Sequence, residues 1–149
     1  MRISKMIAFA ALIFLSVAVV SHAVTVEAVS EKSGVYENGN FRQGQDSFRG
    51  IYHINEEEGR IRLREVISSD REGRVEEGIS YEITNVMISG GLSALTVSPE
   101  RKRQKIYTAV REGHLGAFEI LVMGEDFYEY LNSSGAKFYL ESGSLRRLR

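Results

Sequence analysis

Residues able to serve as a general base are few in this 149-residue chain. Of its three histidines His22 lies in an apolar leader, which leaves His53 and His114. A charge-relay triad needs a nucleophile and an orienting acid around such a base. Neither histidine is accompanied by a serine in a Gly-x-Ser-x-Gly setting, the context that exposes a nucleophile on a strand-to-helix turn. Alternation places His53 on the outer face of a strand beside Arg62, and His114 follows Gly113 in a turn, so both read as surface residues. The chain has no cysteine. Thiol nucleophiles, thiolate zinc, iron–sulfur clusters and disulfides are excluded together. Glu125, Asp126 and Glu129 cluster without the alternating spacing of a calcium loop, and Glu56–Glu58 occupy a turn. No metal and no cofactor is expected, and the chain reads as a protein that is not an enzyme. A carboxylate-based enzyme built on Glu119 or on Glu125–Glu129 is the remaining catalytic alternative.

Three features could carry contacts. Arg101, Lys102, Arg103 and Lys105 concentrate cations in one loop, and Arg146, Arg147 and Arg149 form a second cluster at the C-terminus. Such clusters suit an anionic headgroup, an acidic glycan or an acidic protein. Phe127, Tyr128, Tyr130, Phe138 and Tyr139 bring aromatics together in one hairpin, where the face of Tyr128 and Tyr130 is either a binding surface or the packed side of a sheet. Glu119 interrupts an otherwise apolar strand. Facing inward it would be a buried carboxylate needing a partner, and would mark a ligand pocket. The expectation here is the opposite facing, with Phe118, Ile120 and Val122 turned to the core. Asn132-Ser133-Ser134 also matches a glycosylation acceptor.

The elements that must position these residues are strands. From Val24 onward apolar residues recur every second position between turn-forming clusters, the pattern of half-buried antiparallel strands. Val24–Ser30 is the first, and Glu31–Ser47 reads as loop with a short strand at Val35–Glu37. Phe48–Ile54 and Ile61–Ile67 form a hairpin across the acidic turn Asn55–Gly59. Pairing Ile54 with Ile61 puts Tyr52 opposite Leu63, His53 opposite Arg62 and Phe48 opposite Ile67, and sends Arg60, Arg62 and Arg64 outward. Parity changes between Ile83 and Val86, so a bulge is expected near Thr84-Asn85. Further strands follow at Leu92–Ser98, Ile106–Arg111 and Leu115–Met123, with Pro99 ending the first of them. A last hairpin joins Phe127–Leu131 to Ala136–Glu141 through residues 132–135, and Ser144–Arg149 is left as a basic tail. The fold class is all-β: a small antiparallel β-barrel of about eight strands, favoured over a β-sandwich because closure leaves no exposed edges.

The N-terminus has the parts of a signal helix: Arg2 and Lys5, an apolar stretch from Met6 to Val20, and Ser21-His22-Ala23 as a cleavage site. The stretch is about 15 residues long against the roughly 20 that span a bilayer, so no permanent membrane span is expected after cleavage. The division is residues 1–23 as signal and 24–149 as one domain, exported to a periplasm or secreted. The net charge is −1, and loss of Arg2 and Lys5 leaves −3. A phosphate-binding domain carries a basic excess, so nucleic acid is not an expected partner.

Ser133-Ser134-Gly135-Ala136-Lys137-Phe138 resembles the Ser-Gly-x-x-Tyr motif of periplasmic C-type lysozyme inhibitors, which are small exported β-barrels. Phenylalanine stands where the family has tyrosine, and the family's tryptophan segment and cysteine pair are missing. Size and strand count are similar to lipocalin-like barrels, without their Gly-x-Trp signature. The leading reading is a non-enzymatic binding module that engages a protein, glycan or lipid partner. The alternatives are a lipocalin-like barrel holding a small apolar ligand and a lysozyme-inhibitor-like protein.

Overall fold

The computed structural model describes residues 23–45, 47–71, 76–89, 104–112 and 117–149. They form β1 (Ala23–Glu37), β2 (Asn40–Gly44), β3 (Phe48–Asn55), β4 (Arg60–Ser69), β5 (Ser80–Ser89), β6 (Gln104–Glu112), β7 (Phe118–Met123), β8 (Phe127–Ser134) and β9 (Lys137–Arg147), with no helix among the described residues. All pairings are antiparallel. β1 and β3 to β9 close into an eight-stranded barrel through the β1–β9 pairing, and β2 is added outside the ring along β1. The signal segment to residue 22, the strand expected at Leu92–Ser98, Pro99 and His114 lie outside the described residues.

β1 belongs to two neighbours at once because it is long and bent. Ala23–Val29 pair with β3, Ser33–Glu37 pair with β2, and Val26–Glu37 run beside β9 with a bulge at Glu31. The region from Glu31 to Ser47 is therefore mostly strand, not loop. Its turn is Asn38-Gly39, both at positive φ (52° and 79°), as a tight hairpin turn with right-handed twist requires. Closure also recruits the C-terminus. Ser144–Arg147 are strand residues paired with β1, so the expected tail is a structural seam of the barrel.

The β3–β4 hairpin keeps the expected register for Ile54–Ile61, His53–Arg62 and Tyr52–Leu63, and Arg60, Arg62 and Arg64 are exposed. Beyond Leu63 two register shifts leave Arg64 and then Ile67 unpaired, so Phe48 meets Ser69 and Ile67 is turned out. Each extra residue reverses the facing of the residues after it and bends the strand toward closure. The bulge between Ile83 and Asn85 in β5 stands where the change of parity placed it. The last hairpin turns at Gly135-Ala136, two residues instead of the four expected.

β7 faces opposite to expectation. Glu119, Leu121 and Met123 are buried inside, while Phe118 is exposed and Ile120 and Val122 are half-buried outside. Its residues are apolar on both faces, so alternation carries no information on which face is the core. The interior is filled by Phe48, Tyr52, Ile61, Leu63, Tyr81, Leu121, Met123 and Tyr128, each at most 2% exposed.

β9 lies so close to β1 at Gly143 that a Cβ there would run into the Val29 carbonyl oxygen and the Ser30 Cα, and lie 2.8 Å from the Tyr128 ring. None of these groups is a flexible chain end. Gly143→Ala should lower the free energy of unfolding by about 2–3 kcal/mol in urea titration, whereas an unchanged midpoint would contradict the closure described.

Candidate functional site

Register across the wall from β6 to β1 sorts its residues into inner and outer rows. Inside, Arg111, Glu119, Asn132 and Tyr139 form one row, and Ala109, Leu121, Tyr130, Glu141 and Ser33 the next. One half of the interior is therefore polar. Its centre is Glu141, whose side chain has no exposure, paired with Arg71 at 6%. Arg71 follows β4 and reaches in to donate to both carboxylate oxygens, at 2.8 and 2.5 Å. Its guanidinium lies between two rings, 3.7 Å from the Phe48 centroid and 4.3 Å from that of Tyr130. Tyr128 and Tyr139 donate to the same carboxylate at 2.6 and 2.8 Å. Four charge-assisted hydrogen bonds thus surround one buried anion, the condition under which a buried ion pair is tolerated.

Glu119 is the second interior carboxylate. It accepts from Tyr81 at 2.9 Å and lies 3.7 Å from an Arg111 nitrogen. The partner that an inward Glu119 needs is supplied by Tyr81 and Arg111. Asn132 donates inward to the Tyr130 hydroxyl at 3.2 Å, which removes its amide from the outer surface where a glycan would attach. The Tyr52 hydroxyl is buried close to the positive charge of Arg71. Burial pushes the hydroxyls of Tyr52, Tyr81, Tyr107 and Tyr128 above the ordinary tyrosine range. For the last three a carboxylate that accepts the hydroxyl's hydrogen bond adds to the effect: Glu119 for Tyr81, Glu56 for Tyr107 and Glu141 for Tyr128. Tyr130 is pushed up to about 12, by burial and then by the Glu119 charge.

Outside, the same strands carry an apolar wall. Ile120, Leu131, Leu140 and Gly34 form one row, and Phe118, Ser133, Phe138, Tyr36 and Phe41 the next. Gly34 has no side chain to fill its place, and the Phe41 ring leans into that space from β2. The result is a groove of about 410 Å³ lined by Phe41, Ile120, Val122, Leu131 and Leu140. Along one rim the register places Glu129, Ser142 and Lys32 side by side. Phe41 is 59% exposed, and Tyr36, Phe118, Phe138 and Leu140 are exposed beside it.

The residues singled out from sequence are dispersed. Arg101, Lys102 and Arg103 lie outside the described residues. Lys105 is tied to Glu56 through both carboxylate oxygens, at 2.5 and 2.6 Å, and Tyr107 donates to the same group. Tyr128 and Tyr130 are buried in the barrel, the packed alternative for their face. In the C-terminal cluster Arg146 joins Arg49 in clamping Glu27 on the outer face, and the hydrogen bond from Arg49 leads in holding the Glu27 carboxyl below its usual range. His53 stands beside Arg62 with its Nδ1 3.2 Å from Thr25 Oγ1. Among the described residues no three acids or histidines converge as metal ligands. Sequence reasoning missed Arg71, Glu141 and the outer wall. Glu141 shares parity with Tyr139 and could have been read as inward-facing, whereas Arg71 sits in a turn with nothing to mark it.

Removing Arg71 leaves Glu141 buried and unpaired, so Arg71→Met should cost about 3–5 kcal/mol in denaturant unfolding. Adding Glu141→Leu should recover part of that loss, and an equal further loss would show that the two groups do not act as a pair. The raised tyrosine values carry a sign: the neutral hydroxyls are favoured in the folded state. Their contribution is complete below about pH 10 and is lost as the pH rises through the folded-state values. Ultraviolet titration should show these five of the seven tyrosines ionising only together with alkaline unfolding; reversible ionisation of more than two tyrosines near pH 10 in the folded protein would contradict their burial.

No family model, no curated protein and no solved structure matches the chain, so its function is read from the geometry above.

Proposed function

We propose that the chain is an exported, non-enzymatic binding module whose contact face is the apolar outer wall of β7, β8, β9 and β1. The single observation that carries this reading is the groove under Phe41, where apolar side chains that a barrel normally turns inward are presented outside. Exposed apolar patches of this kind are where soluble proteins meet partners. The occupant is an apolar segment of a partner protein. Aromatic residues dominate the exposed part of the wall, as they do at the centres of protein interfaces. The rim offers one acid and one base, Glu129 and Lys32, on either side of Ser142, and such a neutral pair complements a peptide better than a uniformly anionic headgroup.

The interior supports the same reading by what fills it. Glu141 and Glu119 are engaged by arginine and tyrosine, and large side chains such as Tyr52, Tyr81 and Tyr128 are fully buried beside them. Export rests on the leader from Arg2 to Ala23.

A photoreactive residue placed at Leu140 tests the face in the cell that makes the protein. A discrete protein adduct that disappears when Ile120→Glu is added supports the reading, with His53→Glu on another outer face leaving the adduct intact. Adducts confined to lipid, or a protein adduct indifferent to Ile120→Glu, overturn it.

A further inference from the structure

Open strand edges invite pairing, and proteins normally blunt them with charge, bulges, brevity or a cover. Several stretches of edge lie free of a neighbouring strand among the described residues. The outer edge of β2 is five residues long and carries Arg42, paired with Glu37. The edge of β4 past Leu63 is bent by two bulges, bears Arg64 and Glu65, and has its Val66 N–H taken by the Glu77 carboxylate at 3.1 Å. Both are protected.

β5 is not. Its pairing with β4 covers only Ser80, Tyr81 and Glu82, after which the Ile83 N–H reaches the Gly59 carbonyl and the contact ends. Asn85–Ser89 continue past the β3–β4 turn, and among the described residues they are bonded to β6 on one side alone. This stretch contains no charge, no proline and no glycine. Its side chains Val86, Met87 and Ile88 are 42%, 51% and 63% exposed, the last the most exposed large apolar side chain among the described residues. In a chain with 39 charged residues, an uncharged apolar edge left open is an exception that asks for an occupant.

We propose that this edge pairs with the same edge of a second copy, giving a two-fold dimer with β5 antiparallel to its counterpart. The edge chemistry selects the occupant. Unpaired backbone N–H and C=O groups are costly in hydrocarbon, so a lipid surface would cover the side chains and leave the backbone unsatisfied, whereas another strand satisfies both. A two-fold contact sets each residue against its own surface, and a neutral run meets itself without repulsion. Centring the pair on Met87 places Val86 opposite Ile88 of the other copy and Asn85 opposite its Ser89, apolar against apolar and polar against polar. The open backbone groups become a continuous ladder across two barrels.

The cysteine-free chain makes the test clean. Directly opposed residues of antiparallel strands have Cα atoms about 4.5 or 5.5 Å apart, within the range of roughly 4.4–6.8 Å that a disulfide bridges. Met87→Cys should give a covalent dimer rapidly under mild oxidation, at least tenfold faster than Phe41→Cys on the exposed wall, and sedimentation of the unmodified protein should show a concentration-dependent dimer. Met87→Lys, which opposes like charges at the two-fold, should sediment as a monomer with an unchanged thermal midpoint when diluted. A monomer at every concentration, equal cross-linking at the two positions, or a dimer untouched by Met87→Lys would each overturn the proposal.

Discussion

The Glu141 carboxylate is buried inside the barrel, and Arg71 is what makes that position tenable. The guanidinium enters from the segment after β4, lies between the Phe48 and Tyr130 rings, and meets the carboxylate edge-on. Two tyrosines complete the set of donors. The pair links three regions far apart in the chain: the exit of β4, the start of β8 and the middle of β9. Its stabilisation is modest once desolvation is counted, but its geometry fixes which residues of β8 and β9 face inward.

That choice of facing decides what the outside looks like. Once Tyr128, Tyr130, Tyr139 and Glu141 are inside, alternation sends Leu131, Phe138 and Leu140 out, and register carries the same choice into β7, where Ile120 and Val122 follow them. The apolar outer wall is thus the complement of a polar interior. The bent β1 and its β2 extension then fold Phe41 over the place left by Gly34, which gives the wall its depth.

Strands, turns and the barrel class were legible because period-two alternation and turn chemistry are local. The bulge after Ile83 was legible for the same reason, as a change of parity within a few residues. The facing of β7 was not, since Phe118–Met123 are apolar on both sides except at Glu119, and only long-range partners such as Tyr81 and Arg111 reveal the inner face. The β1–β2 hairpin could have been found from Asn38-Gly39, a strong local signal masked by the polar residues around it. Arg71 could not. A lone arginine in a turn acquires its meaning from Glu141, seventy positions further along the chain.

The central claim is that β7 to β9 turn their polar set inward and their apolar set outward. Methyl NMR with a soluble paramagnetic probe tests it directly. The account predicts strong broadening of Ile120, Leu131 and Leu140 and none of Leu63, Leu121 or Met123. Broadening of Leu121 and Met123 with Ile120 and Leu140 protected would mean the opposite facing and would contradict it.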